Sequence, residues 1–321
     1  MTGRGVRVLA QMIAVVVAVA MVGAPSLYAG TTVPAPSAND RSFFSTPRGS
    51  AEQGAAIAPS TLDAPLPPHL VPIAQLGGNV TSVVADMNLA YVGVGPRVVA
   101  LDLSDPLAPV ELGRSEPLGG VVQDLCLAQD VLYVAAEDDG VHVISLFSQA
   151  LLGGLAHIET SQAARCLELL GDWLYVAEGD GLRVLDVRDP SRPLDAGHRA
   201  AGDDLHDLVA VGDTLYAAGD SGLVILDVGD PRVPTVLARV TTTHPARSVA
   251  VQGGLALVGE GAVDRVGVTG QLHAVDIQKP AEPIELGACT VGGLAHDILF
   301  YLDHALVAHA QRHVYALKGI T

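Results

Sequence analysis

Apolar positions in this chain gather into short continuous runs, separated by clusters of Gly, Asp and Pro. Continuous runs of strand length predict β-strands packed on both faces, whereas a strand with one wet face would alternate. One block organises the pattern. Leu223–Pro234 reads LVILDVGDPRVP, and the same block stands at Val98–Pro109 (VVALDLSDPLAP), Leu182–Pro193 (LRVLDVRDPSRP) and Leu272–Pro283 (LHAVDIQKPAEP). Four copies of this length make the chain a repeat array, and a repeat of this kind decides the architecture before local propensity does.

From Thr81 each unit opens with an apolar strand, passes a Gly/Asp turn and enters a second strand often marked LYV. Tyr91, Tyr133, Tyr175 and Tyr216 recur at intervals of 42, 42 and 41 residues, which reads as strand packing. An acidic or Gly turn leads to the third strand, the LVILD run, and a fourth follows the prolines. Four short antiparallel strands in about 41 residues form one propeller blade. The DPxxP block is the turn between the third and fourth strands: Asp caps it through its side chain, and Pro presets φ. Val141–Leu146 (VHVISL) departs from the pattern, with Ser145 in the place of Asp and no DPxxP after it.

The units run Thr81–Gly120, Val121–Gln162, Ala163–Asp204, Leu205–Ala246, Arg247–Gly293 and Leu294–Thr321. The last stops after its third strand, and His69–Gly77 (HLVPIAQLG) matches the missing proline-led fourth. The expected fold is therefore an all-β, six-bladed propeller over residues 69–321, closed by an N-terminal strand that completes the last blade and removes its open edge. Gly259–Gly270 is expected to be a longer loop in the fifth unit.

The LVILD and LRVLD runs resemble the LVIVD repeat, found in exported or surface proteins of bacteria and archaea. The resemblance covers roughly Leu70 to the C-terminus. It implies a β-propeller and carries over no catalytic residue.

Residues 1–29 change the cellular picture. Arg4 and Arg7 precede an apolar run, Val8–Ala24, broken only by Gln11, and Ala29 ends a cleavable segment. This is the pattern of an export signal; the other reading is an uncleaved anchor, near the lower length for a membrane span. Residues 30–68, rich in Pro, Ala and Ser, read as a disordered linker. No further membrane span is expected. A periplasmic, cell-surface or extracellular protein follows. Its formal net charge is −17, and losing the signal, which holds two arginines and no acid, makes it −19. Such a surface repels nucleic acid and anionic lipid. Cys126, Cys166 and Cys289 have no metal-site spacing and are expected to be buried thiols rather than disulfides.

The residues that open each first strand are the candidate chemistry: Thr81-Ser82, Gln123-Asp124, Arg165-Cys166, His206-Asp207, Arg247-Ser248 and His296-Asp297. First strands line a propeller's channel, so these pairs should ring one mouth of it. Arg165, His206, Asp207, Arg247, His296 and Asp297 form the candidate ligand-binding set, able to hold an anionic or polar group by converging charge-assisted donors. Their aspartates would orient the imidazoles or join them on a metal; solvent lining is the plain alternative. No catalytic residue, metal ligand or cofactor is assigned. Glu137-Asp138-Asp139 and Glu178-Gly179-Asp180 are acidic turns without EF-hand spacing. The expected function is a non-enzymatic binding or scaffolding module at the envelope, a monomer whose partner is a protein or small polar ligand. The alternative is a hydrolase, a lactonase-like enzyme or a metal-binding propeller using the same mouth.

Overall fold

The computed structural model describes residues 80–106, 108–147, 152–263, 268–291, 293–301, 304–309 and 313–318. The predicted signal, the linker and the closing strand His69–Gly77 lie outside the described residues. Among those described, every regular element is a strand, and no helix is long and apolar enough to cross a membrane.

Sheet one consists of β1 (Val80–Asp86), β2 (Leu89–Val94), β3 (Arg97–Asp102) and β4 (Val110–Arg114); sheet two of β5 (Asp124–Ala128), β6 (Val131–Ala135), β7 (Val141–Ser145) and β8 (Gly153–Ile158). Sheet three holds β9 (Ala164–Leu170), β10 (Trp173–Glu178), β11 (Gly181–Asp186) and β12 (Leu194–Ala200). Sheet four holds β13 (Leu205–Val211), β14 (Thr214–Gly219), β15 (Gly222–Asp227) and β16 (Thr235–Thr241). Sheet five follows with β17 (Ala246–Gln252), β18 (Leu255–Val263), β19 (Val268–Asp276) and β20 (Ile284–Thr290), and sheet six with β21 (Ala295–Tyr301), β22 (His304–His309) and β23 (His313–Lys318). In every sheet the strands pair in chain order. This is the antiparallel meander of propeller blades.

The first strands of consecutive sheets pack side by side, β1 on β5, β5 on β9, and so on to β21. Apolar clusters fill each gap. Tyr133, Val143, Leu174 and Leu185 join sheets two and three, and Tyr175, Leu182, Leu215 and Leu226 join three and four. A middle strand therefore faces protein on both sides, and Leu174, Tyr175, Val176 and Ala177 are all at most 1% exposed. That burial is why these runs are continuous rather than alternating. The four repeating tyrosines are buried as expected; burial pushes the phenols of Tyr133 and Tyr175 up to about 12.

The outer turn has the predicted chemistry. Asp102, Asp227 and Asp276 each accept a hydrogen bond from the N–H two residues on, at 2.8, 2.8 and 2.9 Å. A second turn closes over the following proline, with Val233 N–H on Asp230 O at 2.9 Å and Glu282 N–H on Lys279 O at 2.9 Å, as in a type I turn. In sheet two Ser145 performs the first task more weakly, its Oγ accepting from Phe147 N–H at 3.4 Å.

Two expectations are corrected. Most of Gly259–Gly270 is not a loop: β18 and β19 lengthen together and pair out to Val263 and Val268, because an antiparallel hairpin extends without disturbing its neighbours. Cys126 and Cys166 are buried and Cys289, on β20, is exposed, none of them in a disulfide.

Candidate functional site

The first strands share one irregularity. Leu205 pairs with Gly219 and Asp207 with Ala218, so His206 is an extra residue with no partner on β14. Arg165 is skipped in the same way on β9, Arg247 on β17 and His296 on β21. Each is a bulge, which bends its strand and re-aims one side chain. Four of the predicted residues thus sit on four equivalent bulges at the same end of their sheets. Sheet two, with Gln123 at this place, begins its first strand at Asp124, after the position.

The bulged side chains line a central cavity of about 2300 Å³, together with Asp124, Asp207 and Asp297. All six predicted residues face that space. Ligand pockets usually measure about 300–1,000 Å³, so this channel is too wide to grip a small molecule by enclosure. A smaller cavity of about 300 Å³ adjoins Arg165, bounded by Gln162, Asp180 and Asp204.

At the rim the cations already have partners. Arg165 meets Asp204 at 3.0 Å. His206 Nε2 lies 2.7 Å from Asp220 Oδ1, and Arg247 Nη1 lies 3.2 Å from its Nδ1 and 2.9 Å from its Nε2. A guanidinium only donates, so one neutral tautomer satisfies both neighbours: Nε2–H donates to Asp220 and Nδ1 accepts from Arg247. Asp220, in the β14–β15 turn, therefore orients His206. The neighbouring Asp207 does not.

Asp207 and its equivalents have another use. A first strand has no strand on its channel side, and its N–H groups there need acceptors. Asp207 accepts from Leu208 N–H at 2.9 Å and, across to sheet five, from Val249 N–H at 2.8 Å. Asp124 accepts from Leu125 N–H at 2.8 Å, from Ser82 Oγ of sheet one at 3.1 Å and from Leu167 N–H of sheet three at 2.9 Å. Asp297 accepts from Ile298 N–H at 2.8 Å. Glu168 and Ser248 tie sheet three to four and five to six, through Ala210 N–H and Ala295 O. The carboxylates stitch neighbouring blades along the channel wall.

The stitching sets their chemistry. Enclosure by protein raises Asp124 to about 6, against the hydrogen bonds that favour its charged form, with the Asp297 charge adding to the rise. Burial also raises Asp207, helped by Asp297 and Asp124, and raises Asp297. Although surrounded by strands, Asp124 and Asp207 are only half-buried and Asp297 is exposed to the channel, so solvent moderates these shifts. Burial holds the Cys166 thiol well above its usual range, reinforced by Asp207 and Asp124. It is protonated at neutral pH and is no nucleophile. The arrangement is a rim of arginine and histidine side chains over acidic walls, suited to holding a polar molecule.

Asp124 escaped the candidate set, although it stands where Asp207 and Asp297 stand in their units. That shared position was its sequence signal. Asp204 and Asp220 had none, being turn residues whose partners lie far away in sequence.

The fold and this ring define an all-β repeat protein of propeller-type sheets with a polar channel mouth. The LVIVD repeat matches residues 77–116, 163–198 and 202–242, which cover sheets one and four and nearly all of sheet three; the chain carries three LVIVD repeats. No curated protein matches the sequence. Among solved structures, a candidate 6-phosphogluconolactonase from Bacteroides fragilis NCTC 9343 is similar over 77% of this chain and 82% of its own, with 12% identity and a TM-score of 0.65. Another from Bacteroides uniformis ATCC 8492 covers 76% and 82% at 13% identity and a TM-score of 0.62. A functionally unknown protein from Desulfotomaculum acetoxidans DSM 771 covers 74% and 81% at 11% identity and a TM-score of 0.60. At such identities the likeness concerns fold alone.

Proposed function

We propose that this chain is an exported, monomeric, non-enzymatic propeller that binds a small polar ligand at its channel mouth and serves as a binding or scaffolding module at the cell envelope. The observation that carries the reading is the coincidence of four bulges bearing Arg165, His206, Arg247 and His296. Bulges re-aim side chains, and packing alone gives no reason for four cationic or imidazole groups at the same irregular place. With Asp124, Asp207 and Asp297 one residue further along three first strands, the mouth suits a molecule with an anionic group at one end and hydroxyl or ammonium donors at the other.

The proposed ring has six blades, with His69–Gly77 completing the sixth. What supports closure is the use of all six first strands as walls of one cavity, and the burial of Val92 and Leu101 in a cluster confined to sheet one. Deleting residues 69–78 should then cause aggregation; a deletion variant as stable and monomeric as the parent would end the closed-ring reading. Export rests on the positive, apolar pattern of residues 1–29.

The binding test is a thermal-shift screen of anions, sugar acids, amino acids and sugars against the parent and a His206→Ala, His296→Ala double variant. The expected result is a compound that raises the parent's melting temperature and not the variant's. If every hit acts equally on both, the ring is solvent lining.

A second reading has one observation in its favour. A carboxyl group at about 6, as at Asp124, lies in the range useful for general acid–base work, and two structural neighbours are described as candidate lactonases. Esterase or lactonase turnover that Asp124→Asn abolishes at unchanged stability would replace the binding reading with this one.

A further inference from the structure

Sheet two differs from its neighbours at its outer end. The residues paired across its third and fourth strands are His142 and His157. The same place holds Val99 and Arg114 in sheet one, Arg183 and His198 in three, Val224 and Arg239 in four, and His273 and Ala288 in five. The two imidazoles stack with centroids 4.3 Å apart and planes 12° from parallel. Both Nε2 atoms turn to one residue, Asp139, in the β6–β7 turn. His142 Nε2 is 2.6 Å from Asp139 Oδ2, and His157 Nε2 is 3.8 Å from Oδ1 and 2.6 Å from the Asp139 carbonyl oxygen.

We infer that Asp139, His142 and His157 form a binding site for a divalent first-row transition-metal ion of the zinc class. One oxygen and two nitrogen donors lie within 4.8 Å of one another, so side-chain rotations that open the imidazole stack bring all three to the roughly 2.0–2.2 Å bonds such an ion makes. Two imidazoles and a carboxylate suit this class; Mg²⁺ and Ca²⁺ prefer oxygen alone, and no thiolate is present to favour Cu(I). The ion would take the place of the hydrogen that now joins His142 to Asp139. It would also draw His157 off the Asp139 carbonyl.

The carboxylate is positioned from outside the donor set. Gly119 N–H, in the loop before β5, donates to Asp139 Oδ2 at 2.7 Å, the orienting contact that metal ligands commonly have. A Cβ on Gly119 would lie 2.5 Å from Asp139 Oδ1, so a side chain there would push the carboxylate out of this position. The way in is open: the His157 side chain is 40% exposed, against 18% for His142. With three protein donors among the described residues the ion keeps a free position, on the side of the exposed His157.

Equilibrium dialysis of the untagged full chain against 10 µM Zn²⁺, with millimolar Mg²⁺ present, followed by elemental analysis, tests the inference. The parent should retain one zinc per chain. His157→Ala and Asp139→Asn should each weaken retention by roughly tenfold or more, with circular dichroism and melting of the exposed His157→Ala variant otherwise unchanged. His198→Ala, at the equivalent place in sheet three, should retain zinc as the parent does. Less than one zinc on the parent, equal retention by His157→Ala, or equal loss from His198→Ala would each overturn the site. Because the donors lie off the channel ring, the result is independent of the ligand screen.

Discussion

The outer turn between third and fourth strands and the bulge that opens a first strand both recur from sheet to sheet, but in opposite ways. At the outer turn the residue recurs with the geometry: Asp102, Asp186, Asp227 and Asp276 stand at the same place, and each accepts the N–H two residues on. At the inner bulge only the geometry recurs, and the side chain is Arg165, His206, Arg247 or His296, with Thr81 and Ser82 at the irregularity of sheet one. A turn has one demand, an acceptor at a fixed distance, and one side chain meets it best. A rim facing a channel has no packing demand, so the fold does not fix which residue stands there.

The contrast predicts where substitutions register. Asp227→Ala should cost about 1 kcal/mol, since it strips the acceptor that holds Gly229 N–H in the turn, and urea unfolding will measure it without any change in ligand binding. Asp124→Asn tests the stitching carboxylates between these extremes. Its folded-state value of about 6 lies above the ordinary 3.8, so between those values the folded chain holds a proton that the unfolded chain has lost. The stability this contributes is complete below pH 3.8 and is lost as pH rises through 6. Relative to the parent, Asp124→Asn should therefore gain stability from pH 4.5 to pH 7, on the order of 1 kcal/mol once solvent in the channel is allowed for. A difference that is flat with pH would show that Asp124 is not the raised group. A smaller effect belongs to Ser145→Asp, which restores the repeat's residue in sheet two. Replacing a 3.4 Å contact by a carboxylate acceptor should stabilise by about 0.5 kcal/mol.

The same contrast explains what the sequence disclosed. Strands, turns and the unit length were legible because each is written locally and repeated: apolar run, Asp, DPxxP. The four bulge residues were legible by position, since aligning the units places Arg165, His206, Arg247 and His296 together. Their partners were not. Asp220 reaches His206 across a hairpin, and Asp124 reaches Leu167, 43 residues on, across a blade interface; no local pattern announces either. The lengthened β18–β19 hairpin was hidden for a different reason, because GEGAVDRVGVTG carries the glycines of a turn while its backbone continues the ladder. Asp139 read as one of three acids in a turn, and its meaning depends on two histidines that only strand pairing brings beside it.

The central claim is that the bulged rim holds a small polar molecule. Native mass spectrometry of the full chain, isolated gently from its own host, tests it most directly when the parent is compared with an Arg165→Ala, His206→Ala, Arg247→Ala, His296→Ala variant of similar melting temperature. The account predicts a bound small-molecule mass on the parent that is absent from the variant. A parent with no added mass, or the same added mass on both proteins, would contradict it.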